Sequence, residues 1–246
     1  MSKSQPEPDE RIAFFSDVHG CPEALESVLK AISGRGISRM IFLGDVLGYG
    51  PDPAPCLRRL RAEAEVCVLG NHDAMALDEE CDLSQMPARI AVPLELARME
   101  LDAEEKLWLR ERPLIWNAEG IQASHASLRD PHLFTHVETP GCARLHFSRQ
   151  TEPVSFFGHT HVPVIYGLDG QGRILKASGA EGETRLTGAD RYSIGVGSVG
   201  FSRDSDPRAC WVEFRRSAPS VIFHRVAFDT NAVSLRMAEM LERVAP

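Results

Sequence analysis

Seven side chains of types that hold divalent cations stand where apolar runs stop: Asp17, His19, Asp45, Asn71, His125, His159 and His161. Asp17 and His19 close IAFFSDVHG (Ile12 to Gly20), and Asp45 follows the run Met40 to Leu43 in MIFLGDVLGYG. Asn71 lies in VCVLGNHD (Val66 to Asp73), His125 ends the run from Ile121, and His159 and His161 close VSFFGHTH (Val154 to His161). Together they offer two carboxylates, one amide oxygen and four imidazoles, without a thiolate. Such a set suits Mn, Fe, Co, Ni or Zn rather than calcium or a structural zinc cage. Asp17 with His19, and His159 with His161, are spaced i and i+2, so each pair can face one way as a strand ends. Asp45 falls at the carboxyl end of a buried strand, the edge where open α/β sheets bind ligands, and its carboxylate is the one that two cations can share.

The chemistry this permits is hydrolytic. Two divalent cations about 3.5 to 4 Å apart hold a bridging water and lower its pKa towards neutrality, so that hydroxide is available at working pH. Attack by that hydroxide on an ester then needs a proton donor on the leaving side, and His72, beside Asn71 but outside the ligand set, fits that role. Asp73 either orients His72 or caps the following segment. A lone buried histidine is ordinarily a hydrogen-bonded core residue, and that is the reading for His132, His136, His146 and His224. Cys21 reads as a packing residue rather than a nucleophile, since nothing beside it in sequence lowers its pKa.

Strands and helices must carry these groups to one place. Ile12 to Phe15 predicts a strand, and Leu25, Val28, Leu29 and Ile32 recur at the spacing of one helix face, closed by Gly34 and Gly36. The Asp45 strand, a short helix with Cys56, Leu57 and Leu60, and a strand from Val66 to Leu69 continue the alternation of a mostly parallel sheet. From 74 to 117 the alternation stops for two helices, Pro87 to Met99 and Asp102 to Arg110, the second opened by a capping-box-like Asp102 and Glu105. This excursion either walls the site or only packs. Strand character returns from Pro113 to Ser124, a polar loop runs from Leu128 to His136, and short antiparallel strands follow His161: Val164 to Leu168, Arg173 to Ala177, Thr184 to Thr187, Arg191 to Val196, Trp211 to Arg215 and Val221 to Val226. A last helix carries Val233, Met237, Met240 and Leu241 on one face. Residues 1–10 read as a disordered tail and 11–246 as a single domain.

A formal net charge of −8 argues against a nucleic-acid or anionic-membrane surface, which needs clustered Lys and Arg. The six cysteines are scattered without a C-x-x-C pair, and reduced thiols in a cytoplasmic protein are the expectation. The polar N-terminus reads as neither signal peptide nor membrane anchor. A homo-oligomer is compatible with the sequence.

In order, D-x-H-G, G-D-x-x-G, G-N-H-D, S-H-x-S and G-H-T-H resemble the motifs of the calcineurin-like metallophosphoesterase superfamily, over Ile12 to Pro163. The later GSVGFSRDSDPRACW (Gly197 to Trp211) is similar to the glycine-serine loop of its small prokaryotic phosphodiesterase branch. The resemblance implies a four-layer α/β/β/α sandwich. It also implies one metal on Asp17, His19, Asp45 and His161 and a second on Asp45, Asn71, His125 and His159, with His72 as general acid. In the protein phosphatases and symmetrical dinucleoside tetraphosphate hydrolases that resemble this chain, the second motif continues G-D-x-V-D-R-G. Here Gly48 and Tyr49 replace that Asp and Arg, and a Tyr is no bidentate phosphate fork. A phosphodiesterase is therefore the favoured reading, with a small phosphate ester as the expected partner and Tyr49, Arg129, Arg203 and Arg208 as candidate substrate-binding groups. In the plain alternative, Tyr49 packs on Pro51 and Pro53 and the arginines pair with Asp130, Asp204 and Asp206. The functional alternatives are a phosphomonoesterase, a dinucleoside polyphosphate hydrolase, or a non-catalytic scaffold of the same fold. Ala126 where relatives often have Gly, and Gly195-Val196 where the small branch often has Asn-Pro, are further departures.

Overall fold

The first strand, β1 (Arg11–Phe15), already sorts the layers, because its alternate residues enter different cores. Ile12 and Phe14 go to one buried cluster, while Ala13 and Phe15 go to another that contains the helix residues Leu25, Val28 and Leu57. The structure, a computed structural model, describes residues 11–244; the expected tail at 1–10 lies outside the described residues. Helix α1 (Pro22–Gly34) buries the predicted stripe of Leu25, Val28, Leu29 and Ile32, and Gly36, at φ 68°, lets the chain turn away. Strand β2 (Arg39–Phe42) leads to α2 (Pro53–Glu63), and β3 is only Val66–Cys67. The expected strand to Leu69 is cut short because the Leu69 N–H leaves the sheet to donate to the Pro113 carbonyl.

The excursion holds α3 (Asn71–Leu77), α4 (Ala88–Glu100) and α5 (Ala103–Arg110). Asp102 and Glu105 form the expected reciprocal cap: the Asp102 carboxylate accepts the Glu105 N–H, and the Glu105 carboxylate accepts the Asp102 N–H. Strands β4 (Ile115–Ala118) and β5 (Ile121–Ser124) pair through a tight turn at Glu119 and Gly120, both at positive φ. Next come a helix absent from the sequence reading, α6 (Pro140–Phe147), and β6 (Val154–Phe157), β7 (Pro163–Leu168), β8 (Ile174–Ser178), β9 (Gly182–Arg185) and β10 (Arg191–Val196). The chain ends in β11 (Ala209–Arg215), β12 (Ser220–Val226) and α7 (Thr230–Val244), whose Val233 and Met240 are buried.

Two mixed sheets result, in the orders β12-β11-β1-β2-β3 and β4-β5-β6-β10-β7-β8. β10 pairs parallel with β6, so the strands after His161 are not all antiparallel as expected. The sheets face each other across one core, where the Phe14 and Phe156 rings stack at 3.7 Å. Helices α1 and α2 cover the outer face of the first sheet, and α6 covers the second over Phe157, Val164 and Tyr166. The layers are thus the expected α/β/β/α.

Candidate metal centre

The loops after β1 and β2 are zipped together by backbone hydrogen bonds: Asp17 N–H to the Gly44 carbonyl (3.0 Å), His19 N–H to the Asp45 carbonyl (3.0 Å) and Gly20 N–H to the Val46 carbonyl (2.8 Å). The turn after β6 docks on them through the His159 N–H, which donates to Asp17 Oδ2 at 3.1 Å. From below, Ser198 Oγ donates to the Asp17 carbonyl and the Gly200 N–H donates to the same oxygen. The glycine-serine loop is therefore a buttress for the Asp17 turn. Asp17, His19, Asp45, His159 and His161 all hold left-handed backbone, with φ between 50° and 64°. Non-glycine residues rarely adopt it, and each carries a cost of order 1–3 kcal/mol that the surroundings must offset. The paired residues do converge, but through left-handed turns beyond the strand ends rather than through strand alternation.

Three buried groups of donor atoms lie within reach of one another: Asp17, His19 and His161; His19, Asp45 and His72; and Asp45, His125 and His159. Asp45 Oδ2 is 3.6 Å from His19 Nε2 and 3.3 Å from His125 Nε2, so a single oxygen stands between the two outer groups. Asn71 joins the second, with Oδ1 3.1 Å from His125 Nε2. Gly70 permits this closeness, since a Cβ there would lie 2.1 Å from Asp45 Oδ1.

The ring orientations test whether cations fit. Nδ1 of His19 and of His125 meet the carbonyls of Leu47 (2.8 Å) and Leu43 (2.7 Å), and His161 Nδ1 meets the Phe201 carbonyl. A carbonyl only accepts, so each Nδ1 carries the proton and each Nε2 of the neutral ring presents a lone pair to the cluster. Yet His19 Nε2 and His161 Nε2 are 3.2 Å apart, and His161 Nε2 is 3.3 Å from Asp17 Oδ1, a buried oxygen with no hydrogen-bond partner. Acceptors this close need positive charge between them. The residues fit divalent cations at both positions.

Burial pulls the His125 imidazole down, but Asp45 outweighs it and holds His125 up at about 9, the direction expected where a carboxylate calls for positive charge beside it. Burial drives His19 well below the ordinary histidine range and His159 down to about 3. For Asp17, burial works upward, but the adjoining His161 imidazole prevails and lowers it to about 2. His72 is lowered by burial, and its Nδ1 has no hydrogen-bond partner. Asp73 does not orient it: its carboxylate accepts the backbone N–H groups of Asp45, Leu47 and Gly70, tying the two motif loops together. Of the two roles weighed for Asp73, the geometry is that of a cap.

Tyr49 lies over the centre, with its ring 4.6 Å from His19 and 4.8 Å from His72. Arg203 Nη2 donates to Tyr49 Oη at 3.2 Å, while Asp204 pairs with Arg225 instead. Arg208 is held by Asp206 and Glu181, the plain alternative, and is not among the residues around the cavity beside His161. Arg129 lines a separate cavity with Ser127 and His136. His136 is exposed and lies 4.0 Å from the His159 ring, and His132 is exposed, so neither is the core residue expected; His146 and His224 are buried and hydrogen-bonded as expected. Phe201 and, from α4, Arg89 also border the cavity beside His161, so the excursion does form part of its wall. Arg89 carried no sequence signal, because it lies in no motif, whereas Phe201 lies within the Gly197 to Trp211 loop but was not singled out there. Ala126 is buried, and Gly195 packs so tightly on Val164 and Phe157 that a larger residue would need them to move. All six cysteines are unpaired, and burial pushes the Cys21 thiol up to about 12. Among the described residues no helix is long and apolar enough to cross a membrane.

The sequence profile of the calcineurin-like phosphoesterases matches residues 10–163. An uncharacterized protein of Methanocaldococcus jannaschii is 30% identical over 89% of this chain and 88% of its own length. A symmetrical bis(5'-nucleosyl)-tetraphosphatase of Chromohalobacter salexigens is 25% identical over 89% of each. The crystal structure of a metallophosphoesterase from Sphaerobacter thermophilus superposes with a TM-score of 0.82 at 31% identity, covering 95% of this chain and 97% of that one. With its loops converging on paired His and Asp clusters between two sheets, the chain belongs to the calcineurin-like phosphoesterase family.

Proposed function

We propose that the chain is a dinuclear-metal phosphodiesterase. Asp17, His19, Asp45 and His161 would hold one cation; Asp45, Asn71, His125 and His159 would hold the other. The observation that carries this is Asp45 Oδ2, within 3.6 Å of a ligand nitrogen from each group. Bound there, two divalent cations supply a water of lowered pKa and neutralise phosphate charge. The chain does the rest. Leu47, Leu43 and Phe201 carbonyls fix the imidazoles so that Nε2 faces inward. Asp45 Oδ1 accepts the His72 N–H at 2.8 Å, which anchors the start of α3 beside the shared carboxylate. In this reading His72 gives a proton to the leaving oxygen as the phosphorus–oxygen bond breaks.

Tyr49 in place of an Arg supports a diester over a monoester, because the dianionic end of a monoester loses its fork. Arg129 and Arg203 remain candidate contacts; Arg208 is occupied. A second reading, hydrolysis of a dinucleoside polyphosphate, is favoured by the likeness to the Chromohalobacter enzyme and opposed by Gly48 and Tyr49. Turnover of bis(p-nitrophenyl) phosphate with added Mn, together with elemental analysis, tests the proposal. Close to two metals per chain and diester turnover are expected. A chain that binds no metal and turns over neither diester nor monoester would be the scaffold instead.

A further inference from the structure

Beside His161 a cavity of about 300 Å³ opens between Tyr49, Arg89, Phe201, Ser202 and Arg203. Its floor is aromatic, with the Tyr49 and Phe201 rings 5.4 Å apart and tilted by 43°. Tyr49 also lies 4.8 Å from His72, so the cavity adjoins the residue placed to protonate the leaving oxygen. The leaving half of a substrate must lie on that side.

The two guanidinium groups around it are not neutralised by a carboxylate among the described residues. Elsewhere Arg58, Arg61, Arg208, Arg225 and Arg236 each engage a carboxylate, as expected where acidic residues outnumber basic ones, 35 to 27. Arg203 instead spends a donor on the Tyr49 hydroxyl, and exposed Arg89 makes no hydrogen bond or ion pair among the described residues. Two guanidinium groups without a carboxylate, at the rim of an aromatic floor, form a receptor for a planar ring that carries negative charge.

We propose that this cavity binds the leaving half of the substrate and that this half is a nucleotide: its base rests on Tyr49 and Phe201, and its own phosphate meets Arg89 and Arg203. A bare nucleoside would leave the guanidinium groups unused, and a sugar phosphate would leave the aromatic floor bare. The assignment to the leaving half rests on the phosphodiesterase reading; the binding does not.

The test is calorimetric titration of the full-length, Mn-loaded protein with AMP, adenosine and ribose 5-phosphate. AMP is expected to bind roughly 10-fold or more tighter than either, the size of a charge-assisted contact or of one stacked base. Arg89→Gln should weaken AMP roughly 10-fold and leave adenosine unchanged, with Arg89→Lys between. Phe201→Leu keeps the carbonyl that orients His161; it should weaken AMP and adenosine alike and leave ribose 5-phosphate unchanged. Equal affinities for the three probes, or AMP affinity untouched by both substitutions, would overturn the proposal. Hydrolysis of methyl p-nitrophenyl phosphate, which carries no nucleotide, separates the two ideas. If it is not turned over while AMP discrimination persists, the diesterase reading falls and the cavity's assignment to nucleotides stands. Turnover without discrimination has the opposite meaning.

Discussion

His72 has room only because residue 48 lacks a side chain. A Cβ on Gly48 would lie 2.3 Å from His72 Nδ1, and Gly48 sits at φ 90°, which L-residues avoid. Gly48→Ala should therefore push the imidazole out of place. Its diesterase rate should fall towards that of His72→Ala, which is expected to lose roughly 100-fold to 10,000-fold, the range for one general acid or base. Both variants should keep their metals by elemental analysis, and both losses should shrink for p-nitrophenolate, which hardly needs a proton. A uniform loss for good and poor leaving groups would mean that His72 binds phosphate instead. The seven donors were legible in the sequence because each sits at a fixed offset from the end of an apolar run. Their left-handed backbone was not, since nothing in D-x-H or G-H-T-H marks a positive φ on a non-glycine residue. Arg89 was hidden, since it reaches the cavity from a helix outside every motif, while Phe201 and His136 lie in loops that were noted but whose contacts with His19 and His159 only the folded chain shows.

Helix α6 was missed for reasons of its own. It spans eight residues, opens with Pro140 and Gly141, and is started by the Thr139 hydroxyl, which accepts the Cys142 N–H. Such a short segment has little helical periodicity to read. It delivers His146, whose Nδ1 accepts the Leu128 N–H at 3.2 Å while Nε2 meets the hydroxyls of Ser155 and Ser193, each at 3.0 Å. The helix thus pins the start of the loop that carries Phe134 and His136 towards His125 and His159. Protonating Nδ1 would set one N–H against another. Burial lowers this imidazole from its ordinary 6.5 to about 3. The unfolded chain therefore binds the proton more readily, and the stabilisation is complete above pH 6.5 and lost as pH falls towards 3. At full extent that is on the order of 5 kcal/mol. Denaturant unfolding at steps of pH should show this decline, and His146→Gln, which cannot titrate, should have lower stability at neutral pH but a flatter dependence below 6.5. An unchanged slope in the variant would assign the acid sensitivity to other groups. Elsewhere the elements were largely legible, the capped α5 and the stripe of α1 most clearly, because their signals are local.

The two sheets contribute unequally placed halves of one centre. Asp17 and Asp45 follow β1 and β2 of the first sheet, whereas His125, His159 and His161 follow β5 and β6 of the second. Between the sheets the packing is apolar, centred on the stacked Phe14 and Phe156 with Phe214 at their edge. Cations held from both sides would cross-link the layers at the loop end, where charge and left-handed backbone oppose folding, and would bind the folded chain alone. Mass action then sets the effect: free metal at 100 times its Kd stabilises by about 2.7 kcal/mol, or about 5–10 °C in Tm for a chain of this length. Chelation should remove that increment from the wild type and re-addition of Mn should restore it. Asp45→Asn removes the carboxylate charge that both groups share, so it should weaken both sites together and make the melting temperature nearly insensitive to chelator. If elemental analysis of that variant showed one site still full, Asp45 would serve only one metal. If chelation stripped the wild type of metal without moving its Tm, the two sheets would owe their union to the apolar core alone.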